Sequence, residues 1–164
     1  MADKQWKTVV LSAAKWIFLI LIAFFIFWQI SSRGSESRAD FSQVSDAVVG
    51  AADLSGMTEG DNQMVRRLYG LDPAEYDGVL LYYPSSNMGA EEILVVRLKD
   101  LSQQEAVETA MRARIQSQMD VFEGYAPEQY ATLEHGVVEV QGNYLLLVVA
   151  NDTAPVRQAF LDAL

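Results

Sequence analysis

The sequence predicts an α+β domain with a four-stranded, mainly antiparallel sheet and helices packed on one face, preceded by an amino-terminal transmembrane helix. Three observations predict it. An almost unbroken apolar run covers residues 9–30. Two pairs of short β-type segments bracket one long amphipathic segment, and helix-start signals recur between them.

The apolar run holds 22 residues, interrupted only by Ser12, Lys15 and Gln29. As a helix it spans about 33 Å, enough to cross the hydrocarbon core of a bilayer. Lys15 stands close enough to the start to snorkel back to the headgroups, leaving residues 16–30 as the deep portion. The three tryptophans, Trp6, Trp16 and Trp28, fall at the two ends of the run, where an amphipathic indole prefers to lie. Residues 1–30 therefore read as a cytoplasmic stub and a single-pass signal anchor. Lys4, Lys7 and Lys15 precede the deep portion and Arg33 and Arg38 follow it, a bias toward an inside amino terminus and an outside domain. A cleaved signal peptide is the competing reading, because Ser37-Arg38-Ala39 matches a small-x-small site. The length of the run and its distance from that site favour the uncleaved anchor. Residues 31–39 are small and polar without periodicity, and read as a linker to a domain over residues 40–164.

From Ala39 onward the chain carries 7 lysines and arginines against 20 aspartates and glutamates, a net charge of −13. Anionic lipid and nucleic acid repel such a domain. The expected partners are membrane lipid through residues 9–30 and a protein at the membrane surface, with no nucleic acid. The absence of cysteine excludes disulfides, thiolate metal sites and cysteine nucleophiles, and a single histidine excludes a poly-histidine metal site. No phosphate loop or dinucleotide fingerprint is present, so no cofactor is expected.

Within the domain, Asp40-x-x-Gln43, Thr58-x-x-Asp61, Asp72-Pro-Ala-Glu75 and Ser102-x-x-Glu105 resemble capping boxes. The first opens a helix with Phe41, Val44, Val48 and Ala51 at helical spacing, fading near residues 53–56. A short helix over residues 62–69 should stop at Gly70. Residues 79–83 and 93–99 read as strands, the second alternating Leu94, Val96 and Leu98 with Arg97 and Lys99. Residues 102–122 form the longest soluble helix, with a stripe of Val107, Met111, Ile115, Met119 and Phe122 and an exposed Glu108–Arg112 pair. A shorter helix starts at Pro127. Residues 137–141 and 144–150 flank Gly142-Asn143, a two-residue hairpin turn, and Thr153 and Pro155 begin a last helix.

Few residues invite chemistry. His135 could serve as a general base, but no nucleophile motif accompanies it, and a turn position explains it better. Glu91 and Glu92 point to opposite faces if Ile93 starts a strand, so they do not form an acid/base pair. Asp72, Glu75 and Asp77 lack the spacing of a calcium loop, and helix capping accounts for Asp72 and Glu75. Asn151-Asp152-Thr153 matches a short glycosylation sequon of the kind that arises by chance. The candidate interaction surface is the loop over residues 84–92 with its neighbours. Asn87, Met88, Glu91 and Glu92 would offer an apolar contact beside carboxylates, suited to a partner with an apolar patch rimmed by lysines or arginines. Tyr125 and Tyr130 are the aromatic candidates for the same surface.

Gly70-Leu71-Asp72, the string from Ser86 to Ile93 (Ser-Asn-Met-Gly-Ala-Glu-Glu-Ile), Glu123-Gly124-Tyr125-Ala126-Pro127-Glu128-Gln129-Tyr130 and Gly142-Asn143-Tyr144 together resemble one bacterial domain family of unknown function. Its members are mostly Gram-positive small proteins with an amino-terminal membrane or lipoprotein anchor. The likeness covers about residues 41–161 and carries no catalytic residue over. The resemblance implies genes that neighbour those of membrane-bound O-acyltransferases acting on surface polymers, hence an accessory role in envelope assembly or in O-acylation of a surface polymer. The expectation is a membrane-tethered, extracytoplasmic interaction or accessory module of the bacterial cell envelope, without catalysis. A small ligand- or cation-sensing domain using acidic loop residues is the second reading, and an envelope hydrolase or acyl-transfer accessory enzyme the third.

Overall fold

The computed structural model describes residues 36–164 together with Ile20 and Ile22. The chain divides into two compact units, Met1–Gly34 and Ser35–Leu164, and the second holds the sheet. The predicted transmembrane run over residues 9–30, with Trp6, Lys15, Trp16 and Trp28, lies outside the described residues apart from Ile20 and Ile22, both helical. Among the described residues, no helix is long and apolar enough to cross a membrane.

In chain order the elements are α1 (Phe41–Ala51), β1 (Met57–Gly60), α2 (Asn62–Tyr69), β2 (Gly78–Pro84), β3 (Glu92–Arg97), α3 (Gln104–Phe122), α4 (Pro127–Glu134), β4 (Val137–Gln141), β5 (Tyr144–Val149) and α5 (Ala154–Asp162). The fold is α+β, as the sequence predicts, but the sheet has five strands rather than four, in the order β1-β2-β3-β5-β4 with every pair antiparallel. The extra strand, β1, pairs along the outer edge of β2 from Met57 opposite Pro84 to Gly60 opposite Leu81.

Helices cover both faces of the sheet, not one. Along β3, Leu94 and Val96 enter a core shared with Val65 of α2, Val107 and Met111 of α3 and Leu133 of α4. The intervening Ile93 and Val95 enter a second core with Val44 and Val48 of α1 and Val156 and Phe160 of α5. β5 divides the same way, Leu145, Leu147 and Val149 to the first core and Tyr144, Leu146 and Val148 to the second. Successive strand side chains point to opposite faces, so an uninterrupted apolar run such as Leu145-Leu146-Leu147-Val148-Val149 is the signature of a strand buried on both. The ring of Phe41 closes α1 over β2: a Cβ on Gly78 would lie 2.4 Å from its Cγ, so only glycine admits the ring there.

The helix starts differ from the predicted boxes. Asp40 stands at the start of α1 but its side chain makes no capping bond. Thr58 belongs to β1, and the cap of α2 is Asp61, whose carboxylate accepts from Met64 N at 2.8 Å. α2 stops at Gly70, in the left-handed region at φ 69. The box placed at Ser102 is shifted to Asp100 and Gln103, around a 3-10 turn (Leu101–Gln103) that feeds α3. Asp72 caps a single 3-10 turn over Pro73–Glu75. Its carboxylate is held below the usual range by the bond from Ala74 N and then by Arg66, which explains it without a calcium ion.

The Gly142-Asn143 turn joins β4 to β5, with Gln141 opposite Tyr144 and Gly142 at φ 58. A β-branched side chain at that φ is strained, so Gly142→Val is expected to lower stability by about 1–3 kcal/mol, read as a drop in the urea midpoint. The end of the predicted linker is fastened to the domain. Ser37 N donates to Asn143 Oδ1 at 2.8 Å, Ser37 Oγ to the Leu164 carbonyl at 3.1 Å, and Tyr144 OH to the Ala39 carbonyl at 2.8 Å.

A cleft floored by a buried ion pair

β3 opens with a charged residue that the fold buries. Glu92 is only 1% exposed, at the start of a strand that runs on through Ile93, Leu94, Val95 and Val96. Its carboxylate is engaged on every side. Arg114 of α3 donates from Nε to both oxygens, at 3.1 and 3.2 Å, and from Nη2 to Oε2 at 2.8 Å. Gln118, one turn further along α3, donates from Nε2 to Oε2 at 2.8 Å, and Tyr69 at the end of α2 donates its hydroxyl to Oε1. A carboxylate has roughly four acceptor positions, and this set fills them, so Glu92 ties α2 and α3 to the sheet rather than presenting a free base. Burial pushes the Tyr69 phenol well above its ordinary pKa, and the adjacent Glu92 charge adds to the rise. Burial works against the Arg114 charge, but the hydrogen bonds and attraction of Glu92 outweigh it and raise its pKa.

Above this pair lies a cleft of about 310 Å³ between α2, α3 and the loop that follows β2. Met64, Leu68, Tyr83 and Phe122 supply apolar wall, while Ser86, Asn87, Ser117 and Gln118 supply polar groups. Arg67 and Arg114 are the charged residues of its lining, which contains no carboxylate. Gln118 Oε1 is buried there without a hydrogen-bond partner. At the rim stand Met88, Val121 and Tyr125, at 53%, 63% and 57% exposure the large apolar side chains that residues 36–164 leave in solvent. They are drawn together locally: Tyr125 OH lies 3.1 Å from the Met88 sulfur, and the Tyr125 ring stacks on Phe122.

Of the residues the sequence singles out, the fold brings Asn87, Met88 and Tyr125 to this cleft. It separates the others. Glu92 is beneath the surface and neutralised, so it cannot form an exposed acidic rim. Glu91 is absent from the lining; its carboxylate folds back to accept from Ala90 N, and it lines two other depressions. Tyr130 packs against the first core. His135 is an exposed residue at the end of α4, its Nδ1 2.7 Å from the Ala131 carbonyl, as a turn position requires. Arg67, Arg114, Gln118 and Val121 are the cleft residues that the sequence reading passes over. Among the described residues no cluster of three or more His, Cys, Asp or Glu is placed to hold a metal ion.

A family model described as "Domain of unknown function (DUF4358)" matches residues 50–150. No curated protein and no solved structure matches the chain.

Proposed function

Because the chain belongs to the DUF4358 family, whose function is unknown, its own geometry has to carry the reading, and we propose that it is a membrane-tethered, extracytoplasmic interaction module whose docking surface is the cleft between α2, α3 and the loop after β2. The observation that carries this is the exposure of Met88, Val121 and Tyr125 beside one cleft, with Val121 in its lining and Met88 against Tyr125 next to it. Isolated exposed apolar side chains are ordinary, but a cluster of them around a concavity marks a contact surface. The anchor over residues 9–30 supports the tether, and the lysines before it support an outside domain. An accessory role in an envelope complex, such as one that O-acylates a surface polymer, fits such a module.

The test uses the tagged full chain in its native host. Protease added to intact, wall-stripped cells should digest the domain, and full protection would overturn the topology. Val121→Asp with Met88→Ser should strip the chain of its co-purifying proteins from detergent-solubilised membranes while leaving the melting temperature unchanged, since both side chains are solvent-exposed. Retention of every such protein at the wild-type level would place the docking surface elsewhere.

A further inference from the structure

The geometry points to an anionic occupant: an extended peptide segment in which an apolar side chain stands next to a carboxylate. This rests on the reading of the cleft as the docking surface and adds the chemistry of what docks. The sequence alone suggests the reverse sign, because Glu91 and Glu92 adjoin Met88. The fold cancels that suggestion. Glu92 is buried against Arg114, each neutralising the other, so the unpaired charge left in the lining is the Arg67 guanidinium. Arg67 is exposed and has no ion-pair partner among the described residues. In a domain of net charge −13, Arg67 thus gives the cleft one uncompensated positive charge. A carboxylate entering it can take the planar, two-pronged bond that arginine offers.

Size and shape select the rest. A cavity of about 310 Å³ admits one bulky side chain and its adjoining backbone between Met64, Leu68 and Phe122. The apolar rim of Met88, Val121 and Tyr125 extends beyond the cavity, so the occupant continues out of it as a chain does and a compact organic acid does not. Asn87, Ser86 and Ser117 offer donors and acceptors to a peptide backbone in the same lining. A second copy of this domain would bring another strongly negative surface, and is disfavoured by repulsion.

The experiment pans a random peptide library displayed on phage against the full chain held in nanodiscs of zwitterionic lipid. Enriched sequences should share an apolar residue adjoining Asp or Glu. A synthetic copy of an enriched peptide should bind about tenfold tighter, by fluorescence anisotropy, than the same peptide with lysine in place of the acid. Panning on Arg67→Glu should select lysine or arginine in the acid's place, with the melting temperature unchanged because Arg67 is exposed. Enrichment of basic peptides by the wild type, no enrichment above empty nanodiscs, or the same acidic selection by Arg67→Glu would overturn the proposal. So would a dimer in light scattering that Val121→Asp dissolves, which would assign the cleft to a second copy. Val121→Asp separates the two levels of inference. If it selects the same peptides as the wild type, the cleft is not the docking surface. If it abolishes selection while Arg67→Glu changes nothing, the cleft stands and only the anionic occupant fails.

Discussion

Arg114→Met is expected to destabilise the domain by about 3–5 kcal/mol, read as a fall in the urea midpoint at neutral pH. Methionine keeps an unbranched apolar stem over the same stretch of α3, so packing is largely conserved and charge is the quantity changed. What remains is Glu92, 1% exposed, with only Tyr69 and Gln118 to compensate a dehydrated carboxylate. Removing one partner of a buried pair is costly for that reason, whereas removing both charges is not. Adding Glu92→Gln to Arg114→Met should therefore recover most of the loss, bringing the double variant to within about 1–2 kcal/mol of the wild type. A single variant that loses less than about 1 kcal/mol would show that the pair does not hold α3 to the sheet.

Phe160→Ala is expected to cost a further large sum, about 3–5 kcal/mol in the same assay, because its ring is fully buried and nothing nearby can fill the space. The ring stands edge-on to Tyr144 at 6.5 Å between centroids, in the core formed by Val44, Val48, Ile93, Val95, Leu146, Val148 and Val156. This variant tests the two-faced sheet directly. If helices covered one face only, a phenylalanine of the last helix would be half in solvent and its loss would be mild. A cost below about 1 kcal/mol would restore the one-faced reading.

Local signals carried most of the element list, and long-range pairing decided the rest. The stop at Gly70 and the Gly142-Asn143 turn are each written within a few residues and stand where the sequence puts them, while the stripe of α3 holds at Val107, Met111 and Phe122 but leaves Ile115 and Met119 half-buried. β1 is four residues, Met-Thr-Glu-Gly, with no alternation and a terminal glycine. It is a strand because β2 lies beside it, a fact held some 25 residues away in the chain. The second helical layer is legible in the strands themselves. The alternation of Leu98 with Arg97 and Lys99 suggests one wet face, but β3 ends at Arg97, and the unbroken apolar runs of β3 and β5 state that both faces are dry.

The cleft was half visible for a similar reason. Met88 in a polar loop is conspicuous, but the burial of Glu92 depends on Arg114 and Gln118, which reach it from 22 and 26 residues downstream. Their own signal was present: Met111, Arg114, Gln118 and Phe122 lie along one row of α3, so two polar residues interrupt a buried stripe and call for a polar partner beneath.

The knot at Ser37 has a mechanical meaning. Tension applied through the segment before Ser37 meets the bonds of Ser37 to Asn143 and of the Ala39 carbonyl to Tyr144, and so is delivered into the start of β5. That strand is interior to the sheet, clamped by β3 on one side and β4 on the other, so a pull is resisted by two ladders at once rather than peeling an edge. The cleft is built from other parts, α2, α3 and the loop after β2. Force entering at Ser37 thus does not pass first through the walls of the cleft. Because Ser37 also touches the Leu164 carbonyl, a reporter appended after Leu164 would leave from the same corner as Ser37.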